Sequence, residues 1–134
     1  MEIKNLPIYC VFEYALNNKR HSQEQIDRIA NSISEFGFNQ PLVVDESGVI
    51  LVGHGRLAAA KKLKLESIPV LQINNLSDTQ KRAYRILDNK LSDDAEWDFE
   101  NLRMEIERLQ EENYPTEAWG LDALISAYAD GVIS

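Results

Sequence analysis

Between Val43 and Val70 the chain makes one transition that few folds accommodate. An apolar run, Val49 to Val52, enters Gly53-His54-Gly55-Arg56 and leaves as an alanine-rich segment, Leu57-Ala58-Ala59-Ala60, with Lys61 and Lys62 behind it. A strand therefore passes through a tight turn directly into a helix. Such a junction leaves the first backbone N–H groups of the helix unpaired at the positive end of its dipole, and glycines let a bulky anion approach the backbone. Arg56 falls in the first turn, where a cation is unfavourable unless it meets an anion, and its planar guanidinium suits phosphate oxygens. The same glycines serve turn geometry alone in folds that bind nothing. Neither common nucleotide pattern is present: no Gly-Lys-Ser/Thr follows the glycines, and a third glycine is missing.

The flanking blocks narrow the reading. Glu35-Phe36-Gly37-Phe38-Asn39-Gln40-Pro41-Leu42-Val43-Val44, then Leu51-Val52-Gly53-His54-Gly55-Arg56-Leu57-Ala58-Ala59-Ala60-Lys61-Lys62-Leu63, then Ile68-Pro69-Val70 follow one another in order. Together they resemble the N-terminal domain of the ParB partition proteins, a family that shares its fold with sulfiredoxin. The Gly-His-Gly-Arg form is most similar to the "ParB-like nuclease" domains found beside phage and plasmid DNA methyltransferases. The resemblance covers about residues 6 to 98 and implies an α+β fold, a small mixed sheet with flanking helices. It divides the chain into a ParB/sulfiredoxin-like domain, 1–98, and an acidic helical extension, 99–134, packing on that domain or on a partner.

What the resemblance implies about function is a nucleotide site. Its phosphates would lie on Gly53, His54, Gly55 and Arg56, with Lys19, Arg20 and Gln40 at the pocket rim. Ile86-Leu87-Asp88-Asn89-Lys90-Leu91 is similar to the partition family's Glu-Asn-Leu-Gln-Arg block, where acid and amide sit by the triphosphate and its magnesium. Asp88 and Asn89 thereby become candidates for holding Mg²⁺ through phosphate, an ion that takes only one or two protein oxygens. The implied ligand is CTP or ATP with magnesium, and NTP hydrolysis is an open question. Gly55, Ala58 and Ser92 stand where that family carries arginines, which leaves the pocket less positive. Sulfiredoxin chemistry is excluded because its loop cysteine is absent.

The rest of the chain frames these candidates. Its 134 residues, 44% hydrophobic, suit one domain with one modest core. No apolar run reaches the ~18 residues of a membrane span, and no signal peptide is visible, so a cytoplasmic protein is expected. Met1 to Tyr14 reads as extended, with strand Pro7 to Phe12 and Cys10 buried within it. Ser22 to Phe36 is an amphipathic helix on Ile26, Ile29, Ala30 and Ile33, opened by a Ser22/Gln25 capping box and stopped by Gly37. Strands are expected at Leu42 to Val44, Val49 to Leu51 and Ile68 to Leu71. A second capping box, Ser77/Gln80, opens a helix with Ala83, Tyr84, Leu87 and Leu91 on one face. Further helices are expected at Phe99 to Gln110 and Leu121 to Tyr128.

Charge separates the two ends. Eight acids balance eight bases up to Asn75, whereas fourteen acids face six bases from Leu76 onward. Asp93, Asp94, Glu96 and Asp98 read either as two-metal nuclease ligands or as helix caps, and Asp98 is placed as the cap of the following helix. A net charge of −8 opposes contact with a phosphate backbone, so DNA is expected to be reached only through a partner such as a methyltransferase domain. The acidic tail is the candidate surface for that partner or for a second copy. His54 is a candidate phosphate contact, a weak candidate for general acid/base work, or a residue that only shapes the turn.

Four functional classes stay in play. They are a nucleotide-binding accessory module of DNA partition or DNA modification, a ParB-like nuclease, a phosphotransferase resembling free-serine kinases, and a catalytically silent interaction module. In those kinases the loop reads Asp-Gly-His-His-Arg, and Val52 here replaces the aspartate.

Overall fold

The computed structural model describes residues 2–17 and 19–129 and divides into two compact units, 1–93 and 94–134. The first contains β1 (Ile3–Pro7), α1 (Gln23–Phe36), β2 (Leu42–Val44), β3 (Ile50–Val52), α2 (His54–Lys62), β4 (Ser67–Gln72) and α3 (Asp78–Asp93); the second contains α4 (Phe99–Glu111) and α5 (Leu121–Ala129). The four strands form one mixed sheet in the order β1-β4-β2-β3. β4 runs antiparallel to β1 and parallel to β2, with Leu42 opposite Val70, while β2 and β3 form the expected antiparallel hairpin. The α+β class with its small sheet is the architecture the sequence implied.

The core of the first unit lies where α2 crosses the sheet. Leu42, Val44, Ile50, Leu57, Ile68 and Val70 are fully buried, each burial contributing about 1.5–3 kcal/mol. α2 meets this core with Leu57 and Ala60, and its small side chains let α1 approach. α1 starts where expected: the Ser22 hydroxyl accepts the Gln25 N–H. Only half the capping box forms, because the Gln25 side chain instead pairs with His21 Nδ1 at 3.0 Å. At α3 both halves form, Ser77 N–H to Gln80 Oε1 and Gln80 N–H to Ser77 Oγ.

Two expectations are corrected. The first strand lies at Ile3–Pro7, and Ile8–Cys10 is a 3₁₀ turn, so Cys10 is half-buried in a turn. Of the expected strand Pro7 to Phe12, only Phe12 pairs further, as a lone bridge to Val49. Second, α3 does not bury Ala83, Leu87 and Leu91: Leu87 and Leu91 are 51% and 66% exposed, and the buried residues are Lys81 and Arg85. The helix is fastened to the sheet by cations whose partners compensate their desolvation.

Lys81 shows how. Its Nζ lies 3.2 Å from Asp45 Oδ2 and 2.8 Å from Glu46 Oε1, and Asp45 Oδ1 also accepts the N–H groups of Ser47 and Val49. Burial pushes the Asp45 carboxyl up, but the bonds from Val49, Lys81 and Ser47 outweigh it and hold the group below the usual carboxylate range. A depressed folded pKa gives stability that is complete above the unfolded value, about 3.9, and is lost as pH falls below it. Asp45→Asn is therefore expected to flatten the acid limb of the stability curve below about pH 4 and to cost on the order of 1–3 kcal/mol near neutrality. Chemical denaturation across pH measures both; an unchanged acid limb would remove Asp45 from this role.

In the second unit, Asp98 caps α4 by accepting the Asn101 N–H, as expected, and Phe99 and Ile106 are buried. Thr116 Oγ1 donates to Asp122 Oδ1 at 2.7 Å, tying the entry of α5 to its first turn.

Candidate functional site

β3 delivers the chain into Gly53, whose φ of +115° turns it into α2. The first bond of the helix runs from the Leu57 N–H to the Gly53 carbonyl. The amides of His54, Gly55 and Arg56 precede it and are the donors that an α-helix leaves without a partner of its own. They border a cleft of about 200 Å³ walled by the β3–α2 junction, the segment before α1, α1 itself and α3. Asn17, Lys19, His21, Gln25 and Ile29 line it from one side, and Arg85, Asp88 and Asn89 from the other.

Residues far apart in sequence thus face one space. Gly53, His54, Gly55, Arg56, Lys19, Asp88 and Asn89 all line the cleft. Arg20 is exposed and not among its lining residues. Gln40 lies in the neighbouring groove under the end of α1, and its Oε1 is 3.5 Å from Arg56 Nη1. Lys19 pairs with the exposed Asp93 at 3.5 Å.

Arg56 is turned back toward β2. Its Nη2 donates to the Pro41 carbonyl at 3.1 Å, and its Nε is buried without a partner among the described residues. Burial lowers its pKa, with the charge of Asp88 opposing, yet a guanidinium stays protonated in proteins. Its contacts are with neutral oxygens, so they orient the cation without cancelling it.

His54 is bonded to the backbone through one ring nitrogen. Its Nε2 accepts the Tyr14 N–H at 3.1 Å, which places the ring proton on Nδ1 and occupies the lone pair that a general base would use. Burial depresses its pKa first; Glu13 opposes, and Arg85 and His21 add to the depression. A neutral imidazole therefore pins the segment before α1 to the loop. Gly55 carries no Cβ because one would lie 3.0 Å from His21 Cε1 and from Ile29 Cδ1. Bare backbone at this position brings α1 against the cleft.

Arg85 belongs to the cleft and carried no sequence signal. It sits one turn before Asp88, but the apolar pattern of α3 pointed to another face. Its Nε donates to the Ile50 carbonyl at 2.9 Å, and its guanidinium lies 3.6 Å from the centroid of the Tyr14 ring.

The arrangement holds cations and helix-end amides around one carboxylate, Asp88, and three carboxamides, Asn17, Gln25 and Asn89, which suits a phosphorylated ligand. Asp88 and Asn89 could supply one or two oxygens to a magnesium ion that phosphate oxygens and water complete. No group of three or more His, Cys, Asp or Glu among the described residues converges to hold a metal. The two-metal nuclease reading lacks a ligand set there.

The family of the ParB N-terminal domain matches residues 2–90. The chain belongs to that family. The ParB-like nuclease domain-containing protein YnaK of Escherichia coli (strain K12) is 40% identical over 82 residues, which span 61% of this chain and 94% of that protein. The chromosome-partitioning protein ParB of Caulobacter crescentus, complexed with CTP-γ-S, superposes over 90% of this chain and 70% of that one, with a TM-score of 0.72 at 21% identity. Sulfiredoxin of Arabidopsis thaliana superposes over 63% of this chain and 97% of its own, with a TM-score of 0.54 at 23% identity. At these identities the two structures speak for the ParB/sulfiredoxin fold alone. No helix among the described residues is long and apolar enough to cross a membrane.

Proposed function

We propose that this ParB N-terminal domain binds a nucleoside triphosphate, CTP or ATP, with the phosphates on the Gly53–Arg56 loop and Mg²⁺ beside Asp88 and Asn89, as an accessory module of DNA partition or DNA modification. The single observation that carries the reading is the convergence on one cleft of the α2 N-terminus with Lys19, Arg56, Asp88 and Asn89. The CTP-γ-S in the Caulobacter ParB structure favours a cytidine nucleotide.

The test is a thermal-shift screen of CTP, ATP, GTP and ADP, each with and without Mg²⁺. A ligand that binds only the folded state raises the melting temperature at saturation, so one triphosphate with Mg²⁺ is expected to do so. No shift from any of the four at millimolar concentration would defeat the reading.

DNA is reached through a partner on this account. With a net charge of −8, concentrated beyond Leu76, the chain is expected to show no sub-micromolar binding to random duplex at ~150 mM salt, since such affinity derives from lysine and arginine on phosphates. Fluorescence anisotropy measures this; tight, sequence-independent binding would contradict it.

A further inference from the structure

Resting on that proposed function, we infer that Arg85 is a second cation that contacts the bound phosphates, held ready by Tyr14. Three observations meet at this residue. It is 6% exposed, yet its side chain lines the cleft that holds the Gly53–Arg56 loop. Its position is fixed on two sides, by the Nε–H bond to the Ile50 carbonyl and by stacking on the Tyr14 ring. Both of these partners are neutral.

A guanidinium removed from water beside a carbonyl and an aromatic face lies in a setting that strengthens its attraction for an anion. The Nη edge of the same fork is the part that would serve a phosphate oxygen, and the stacked ring limits rotation about the last side-chain bonds. Such an arginine loses little freedom on meeting a ligand. Arg56, which also lines the cleft, is held differently, through its Nη2 by the Pro41 carbonyl. The cleft thus places two arginines near one carboxylate, Asp88, whose charge acts on Arg56. Tyr14 is in turn held by its own N–H bond to His54 Nε2, so the loop that carries the phosphates also positions the ring that steadies Arg85.

The experiment titrates CTP with Mg²⁺, ATP with Mg²⁺ and inorganic tripolyphosphate into the full chain and into Arg85→Lys and Arg85→Met, with ligand-free melting temperatures for each. Arg85→Lys is expected to weaken binding about three- to tenfold and Arg85→Met at least tenfold. Lysine keeps the charge but spends its single head on the Ile50 carbonyl. Were Arg85→Met not to fold, Arg85→Lys decides alone. A residue that only fastens α3 to β3 makes the opposite forecast: lower melting temperatures with affinity unchanged, which overturns the inference while nucleotide binding by the parent stands. Tripolyphosphate bound through Arg85 without binding of either nucleotide upholds the inference and removes the proposed function. Absence of binding to all three ligands overturns both.

Discussion

Gly53→Ala is expected to lower the melting temperature by about 10 °C or more. At φ +115° an L side chain is strained, at a cost of about 1–3 kcal/mol. The new Cβ would also stand 2.8 Å from Leu42 Cγ, inside the fully buried core, and 3.2 Å from Arg56 Nη2. Overpacking of this kind adds about 1–3 kcal/mol, and in a domain of this size each kcal/mol moves the midpoint by about 4–8 °C. Gly55→Ala is the control. Its Cβ would meet only the ends of two flexible side chains, and alanine suits a helix better than glycine. It should fold nearly as well as the parent, while displacing His21 and Ile29, which line the cleft. Calorimetry on the two variants checks the ranking, and a Gly53→Ala protein melting with the parent would mean that the loop is not built as described.

The second large effect is on affinity. Arg56→Ala is expected to weaken nucleotide binding at least tenfold, since a charge-assisted contact to an ionised oxygen is worth ~1.5–3 kcal/mol. Arg56→Lys should recover only part, keeping the charge and losing the bidentate fork. Because Arg56 also donates to the Pro41 carbonyl, the alanine variant should melt a few degrees lower. Titration and melting on the same three proteins separate the roles: lower stability at constant affinity would make Arg56 a strut between β2 and α2.

How much of this was legible in the sequence follows from where the signals were local. α1 has apolar residues at helical spacing, a serine cap and a terminal glycine, and each acts within a few residues of itself. The β3–Gly53–α2 junction was equally local, because the turn, the left-handed residue and the helix start are contiguous. β1 was misplaced because Pro7 to Phe12 looks extended by propensity, while Pro7, which lacks an N–H, ends the observed strand and the chain folds into a 3₁₀ turn after it. On α3 the helical period picked Leu87 and Leu91, but burial went to Lys81 and Arg85. Their partners, Asp45, Glu46, the Ile50 carbonyl and Tyr14, lie 35 or more residues earlier. A buried cation becomes visible only with its partners. The same distance hid the partner of His54, whose acceptor nitrogen is engaged by an amide 40 residues upstream.

The central claim is that phosphate sits on the N-terminus of α2, and amide chemical shifts test it at the atoms concerned. Titration of CTP with Mg²⁺ into ¹⁵N-labelled protein is expected to move the amide resonances of His54, Gly55 and Arg56 most, with those of Asp88 and Asn89 following, and to leave the amides of α4 and α5 in place. Saturating nucleotide that leaves His54, Gly55 and Arg56 unmoved, or that shifts chiefly the helices beyond Asp93, would contradict the account.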